Sequence, residues 1–212
     1  MRTLLIFTLL LLTTVCKAQN RGKIGVGILT IDIERYPVLK LYSDTNSNVP
    51  NTTIFVKKVK QDGVVVNTVP QLKGFTPEAL WLDYYIFLLR VEKVSPNWFK
   101  VFVSDHTTFW LGKSTKGVRF DTWPVFLKSH ISALFKLDGY DLDIKLAPSD
   151  KAKTIKKMEE KDCFEVLEVR GDWMRIRTNT GLECSETERP VRSGWIRWRK
   201  ADRLQVGYTQ TC

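Results

Sequence analysis

Residues 164–178 read FEVLEVRGDWMRIRT, and residues 194–199 read GWIRWR. In both stretches apolar and polar side chains alternate, the period of a strand with one face buried. Arg170-Gly-Asp is a turn signal, so 164–178 forms a hairpin. Alternation sends Met174 and Ile176 to one face, and Trp173, Arg175 and Arg177 to the other. Likewise Ile196 and Trp198 share a face, and Trp195, Arg197 and Arg199 share the opposite one. Pairing these strands with their apolar residues inward leaves two tryptophans and four arginines outside.

Further strands are predicted at Asp143 to Leu146 and near Leu204 to Tyr208. The polar stretch from Asn179 to Ser193 reads as a loop. Five short antiparallel strands between 143 and 208 cannot bury an open flat sheet, so a small barrel is expected. The first half repeats the plan. Leu39-Lys-Leu-Tyr-Ser-Asp corresponds to Ile144-Lys-Leu-Ala-Pro-Ser-Asp with one gap, and Val94-Ser-Pro-Asn-Trp-Phe-Lys-Val to Val169-Arg-Gly-Asp-Trp-Met-Arg-Ile. Trp110-Leu then stands where Trp195-Ile stands. Three blocks in one order point to a tandem duplication. In the first copy Trp98 and Lys100 face out with Trp110, and Phe99, Val101 and Leu111 face in.

The second unit resembles the bacterial SH3-like family, whose pattern has an apolar strand, an acidic or glycine turn, Trp-x-x-Val and then Gly-Trp-Val. Here those elements are Phe164-Glu-Val-Leu-Glu-Val, Arg170-Gly-Asp, Trp173-Met-Arg-Ile and Gly194-Trp-Ile. The first unit departs from the pattern, with Phe109 where the glycine before the tryptophan belongs. The loop 178–193, which contains Cys184, is longer than the pattern's. The resemblance implies an all-β fold of two tandem SH3-like β-barrels. Their spans are 24–118, with an insertion at 59–85, and 138–208, joined by a linker over 119–137. Short helices are expected in the insertion and the linker. In Phe75-Thr-Pro-Glu-Ala-Leu-Trp, Thr76 fits an N-cap and Pro77 the first helical position. Val125 to Leu137 fits either a short helix or a strand.

The N-terminus decides the compartment. Arg2 precedes an apolar or hydroxyl-bearing run from Leu4 to Val15, the length of a signal-peptide core and too short to span a bilayer. Cys-Lys-Ala places small residues at 16 and 18, so cleavage after Ala18 is predicted. Lipidation of Cys16 is the rival reading, and bulky Val15 and Thr13 count against it. The Ala18–Gln19 junction resembles signal peptides of the Bacteroidetes, implying a periplasmic or extracellular destination. Removing residues 1–18 takes away Arg2 and Lys17 and no acid, so the formal charge of +10 falls to +8. A basic surface ordinarily points to nucleic acid, but export directs it to anionic envelope polymers or an acidic protein. No later stretch is long and apolar enough for a membrane span.

Three cysteines survive processing: Cys163, Cys184 and Cys212. An oxidising compartment favours a disulfide, and an odd count leaves one thiol over. Sequence leaves three pairings open; Cys184–Cys212 is the expectation, because a loop cysteine and a chain-end cysteine have the most freedom to meet. No CxxC is present, and His106 and His130 lie far from the cysteines, so no metal site and no cofactor are expected.

The outer face of Trp173, Arg175, Arg177, Trp195, Arg197 and Arg199 is the candidate ligand-binding site. Tryptophan stacks on sugar rings and apolar peptide groups, and arginine grips carboxylates in a fork. Arginine laid over tryptophan can equally stabilise the sheet with no ligand at all. No nucleophile–histidine motif is present, so a non-catalytic module is expected, recognising peptidoglycan peptide, glycan or a partner protein. The alternative is a small envelope hydrolase or its regulatory subunit.

Overall fold

The computed structural model describes residues 22–61, 64–69, 74–179 and 190–210. Half of the chain is strand and 6% is helical. The first half contains β1 (Gly27–Ile31), β2 (Val38–Leu41), β3 (Thr52–Phe55), β4 (Lys57–Gln61), β5 (Val64–Thr68), β6 (Ala79–Trp81), β7 (Ile86–Val94), β8 (Trp98–Phe102), β9 (Thr108–Gly112) and β10 (Val118–Thr122). A helix, α1 (Trp123–Ser129), leads to the second half. There follow β11 (Ala133–Lys136), β12 (Asp143–Lys145), β13 (Thr154–Lys157), β14 (Cys163–Arg170), β15 (Trp173–Thr178), β16 (Gly194–Arg197), β17 (Arg199–Lys200), β18 (Arg203–Leu204) and β19 (Val206–Thr209).

The two halves follow one path. The first runs β3-β2-β9-β8-β7-β1-β10, with β2 reaching β9 through the Tyr42–Trp110 bridge. The second runs β13-β12-β16-β15-β14-β11-β19. Taken along the chain, corresponding strands come in the same sequence in both. Even the irregularities match: β7 and β8 slip register between Val91 and Lys93, and β14 and β15 slip between Val166 and Glu168. Between β3 and β7 the first half carries extra chain, the β4–β5 hairpin and β6, which pairs with β7. One detail of the sequence alignment shifts by two residues. Tyr42 bridges Trp110 as Lys145 pairs with Trp195, so Leu41, not Leu39, corresponds to Ile144. Among the described residues neither path closes into a barrel.

Alternation set the buried faces. Phe99, Val101 and Leu111 are buried in the first half, and Met174, Ile176, Ile196 and Trp198 in the second. One other expectation is corrected. The helix expected from Thr76 is absent: Thr76 N–H donates to Val103 O and Glu78 N–H to Leu88 O, holding this chain extended until a 3-10 turn at Leu82–Tyr84. Sheet pairing takes the N–H groups that a helix would have needed. Cys163, which a Cys184–Cys212 pair would leave as the odd thiol, is disulfide-bonded. Cys163 faces Phe135 on β11, whose other neighbour is the chain-end strand β19, and its carbonyl accepts from Asn179 N–H at the loop mouth. It therefore lies near both stretches that lead to the other cysteines. Cys184 and Cys212 themselves lie outside the described residues.

Residues 119–137 are built into both halves. β10 pairs with β1, α1 follows it, and β11 enters the second sheet between β14 and β19. One core cluster crosses the seam, packing Ile24, Ile28, Ala79 and Leu88 against Trp123, Phe126, Leu134, Trp198 and Tyr208. Backbone bonds tie it further: Ile24 N–H donates to Asp202 O and Gly25 N–H to Asp202 Oδ1. No described helix is long and apolar enough to cross a membrane.

A polar chain threads this seam. The Tyr208 hydroxyl donates to Glu78 Oε1 at 2.7 Å, and Glu78 Oε2 lies 3.4 Å from Arg90 Nε. Burial first, then the Glu78 charge, holds the Tyr208 phenol well above its ordinary value of 10.0. A folded-state value above the unfolded one means the hydroxyl's contribution is complete below about pH 10 and is lost as pH rises beyond it. Melting curves between pH 7 and 11 are therefore expected to show a drop above about pH 10 that Tyr208→Phe reduces. At neutral pH the same variant should lose roughly 1.5–3 kcal/mol, the worth of a hydrogen bond to a charged group. An alkaline drop of the same size in both proteins would contradict this.

Candidate binding face

β15 and β16 pair with Trp173 opposite Arg197 and Arg175 opposite Trp195, giving a checkerboard of rings and guanidinium groups. Five of the six candidate residues share this face: Trp173, Arg175, Arg177, Trp195 and Arg197. Arg199 does not. It lies on β17, which pairs only with β18, and its guanidinium stacks 5.0 Å from the Trp198 ring centre. β16 ends at Arg197, so strand alternation no longer governs Arg199.

The tryptophans face outward yet are covered. Trp173 is 9% exposed and Trp195 8%. Arg197 lies over Trp173 at 5.0 Å, and Arg170, from the hairpin turn, lies over Trp195 at 5.3 Å. Each candidate arginine also meets an acid. Arg177 pairs with Glu165 directly across the strands, and this bond holds the Arg177 guanidinium above its usual range. Arg175 lies 3.5 Å from Glu168, Arg197 2.6 Å from Asp150 and Arg199 2.7 Å from Asp172. Alternation shows which way a side chain points, but not what lies over it. Arg170 and these four acids were therefore missed; Glu165 and Glu168, three residues apart, reach one face only through the register shift between Val166 and Glu168.

A cleft of about 570 Å³ opens beside Trp173 and Arg197. Its cations are Lys145, Lys157, Lys200 and Arg197, against Asp141, Asp143 and Asp150. Lys145 donates to Asp143 at 3.1 Å and, with Thr154 and Lys157 adding, holds that carboxyl below its usual value. The Asp141 hydrogen bond raises Lys157. Arg197 has a partner that solvent reaches. Its Nη2 donates to Asp150, whose side chain is 71% exposed, while its Nε is buried with no hydrogen-bond partner among the described residues.

The first half's counterpart is open. Trp98, Lys100 and Trp110 face outward and are half-buried, and Lys100 pairs with Glu92 at 2.6 Å. No arginine or lysine lies over Trp98 or Trp110 among the described contacts. Elsewhere, His130 lies 3.5 Å from Asp121 and beside Arg119, and His106 occupies the turn between β8 and β9. Among the described residues no three metal-ligating side chains gather.

No family model matches this chain, and no curated protein matches it either.

Proposed function

We propose that this protein is an exported, non-catalytic binding module, built from two SH3-like units, which docks on an anionic cell-envelope polymer or partner protein. The observation that carries the reading is Arg197. Stacking on Trp173 fixes its guanidinium at the lip of a cleft, and its carboxylate partner Asp150 is a solvent-exposed side chain that a ligand carboxylate can replace. Exposed ion pairs contribute only about 0–1 kcal/mol, so the exchange costs little. A ligand carboxylate held in the guanidinium fork gains a charge-assisted pair of hydrogen bonds. The disulfide at Cys163 suits an oxidising compartment, and the basic composition suits an anionic target.

Cosedimentation of the chain after residue 18 with purified peptidoglycan sacculi tests this. The wild type is expected to pellet with sacculi, and Arg175→Ala combined with Arg197→Ala to remain in the supernatant. Melting of the double variant should fall by only a few degrees, since stacks and exposed pairs of this kind are each worth about 1 kcal/mol or less. Undiminished pelleting of the double variant rejects the face, and release of soluble muropeptides by the wild type makes the protein an enzyme instead.

A further inference from the structure

The two halves differ at the two positions that cover the outward tryptophans. Gly112 stands opposite Trp98, as Arg197 stands opposite Trp173. Ser95 precedes Trp98 by three residues, as Arg170 precedes Trp173. Glycine and serine cannot reach over a ring as arginine does. What is a covered checkerboard in the second half is therefore a groove of about 470 Å³ in the first, within the range of small-ligand sites.

Trp98 and Tyr42 form its aromatic corner, their centroids 5.5 Å apart at 77°. Ser114 and Thr115 add hydroxyls to its lining and Lys40 an ammonium. No carboxylate lines the groove, and Lys40 has no acidic partner among the described residues. Strand backbone fixes the corner: Tyr42 N–H donates to Trp110 O at 2.9 Å and Trp110 N–H to Tyr42 O at 2.8 Å. Lys113 N–H donates to Asn97 O and Thr115 N–H to Gly112 O, fixing the hydroxyl-bearing stretch as well.

We infer that this groove binds a pyranose ring bearing a carboxylate, as found in acidic polysaccharides. A pyranose presents an apolar face of C–H groups to an aromatic ring and a rim of hydroxyls to short polar side chains. Aromatic rings with one polar rim suit such two-sided ligands. The carboxylate is selected by charge: one cation and no anion line the site, on a chain of formal charge +10. The site lies on the opposite half from the Arg197 cleft and does not depend on it.

The test is a titration of the ¹⁵N-labelled chain after residue 18, following the Trp98 indole N–H signal, assigned by its loss in Trp98→Phe. Trigalacturonate is expected to shift that signal saturably, and neutral maltotriose to bind about tenfold more weakly or worse, the worth of one charge-assisted hydrogen bond. Lys40→Gln should abolish the preference. Gly112→Leu should abolish the shift with melting unchanged. A Cβ on Gly112 would meet Trp98 Cζ3 and Ser114 Oγ at 3.7 Å, ordinary contact, and the rest of the side chain would fill the groove. Arg197→Ala should leave the titration untouched, which separates this site from the cleft. Equal binding of both sugars, retention in Gly112→Leu, or no saturable shift would overturn the inference. So would a shift of the Trp98 signal by a proline-rich peptide where trigalacturonate gives none.

Discussion

Replacing Arg90 with methionine is expected to destabilise the fold by about 3–5 kcal/mol, the usual cost of removing one partner from a buried ion pair. The Arg90 side chain is 1% exposed, as is that of Glu78, whose Oε2 it faces. Its Nη1 donates to Lys23 O and its Nη2 to Asp105 Oδ1 at 2.9 Å, while the guanidinium lies over the Phe102 ring. Methionine fills much of the same volume, so the loss reads charge more than packing. It strands the Glu78 carboxylate in the core without its facing cation. Glu78→Gln in the same background removes that charge and keeps an acceptor for Tyr208. The double variant is therefore expected to be more stable than Arg90→Met alone, a non-additivity that urea unfolding of the four proteins measures directly. Simple additivity would mean that Glu78 and Arg90 do not stabilise each other.

Nothing in local sequence marks this pair. Glu78 stands where a helix's first turn was expected, and Arg90 interrupts the apolar run of β7. Pairing with β7 turns Glu78 toward the seam, and that pairing is a tertiary event. The buried faces were legible because alternation is imposed by strand geometry itself: Met174, Ile176, Ile196 and Trp198 lie in the core as expected. The repeated blocks were also legible, though only to within a multiple of two. Leu39-Lys-Leu resembles Ile144-Lys-Leu better than Leu41-Tyr-Ser does, but a slide of one strand period keeps the same face buried, and the bridge from Tyr42 to Trp110 fixes the true offset. Val125 to Leu137 fits either element because it carries both periods in succession, a helix to Ser129 and a strand from Ala133. For the candidate site, the direction of Trp173 and Trp195 was legible and their cover was not. Cover depends on long side chains from neighbouring strands and turns, as Arg170 and Arg197 show.

Trp123→Ala is expected to be as damaging as any single change in the chain. Trp123 is 1% exposed and stands at the junction of the halves. Its ring centre lies 5.8 Å from that of Phe126, 6.4 Å from Trp198 and 6.4 Å from Tyr208, so α1 and the second half both pack on it. Its indole N–H donates to Ile24 O at 2.9 Å, fastening the start of the first half. Truncation opens a cavity that rigid neighbours cannot close and leaves a buried carbonyl short of a donor. Core Trp→Ala changes of this kind cost about 3–5 kcal/mol, a fall in melting temperature on the order of 10 °C for a chain of this size. Trp123→Phe retains most of the ring contacts and loses the hydrogen bond, so it should cost roughly 1–3 kcal/mol. Because one core crosses the seam, the wild type is expected to unfold in a single transition by both calorimetry and near-UV circular dichroism. Two transitions in the wild type, one unaffected by Trp123→Ala, would mean that the halves stand on separate cores and that the seam adds little.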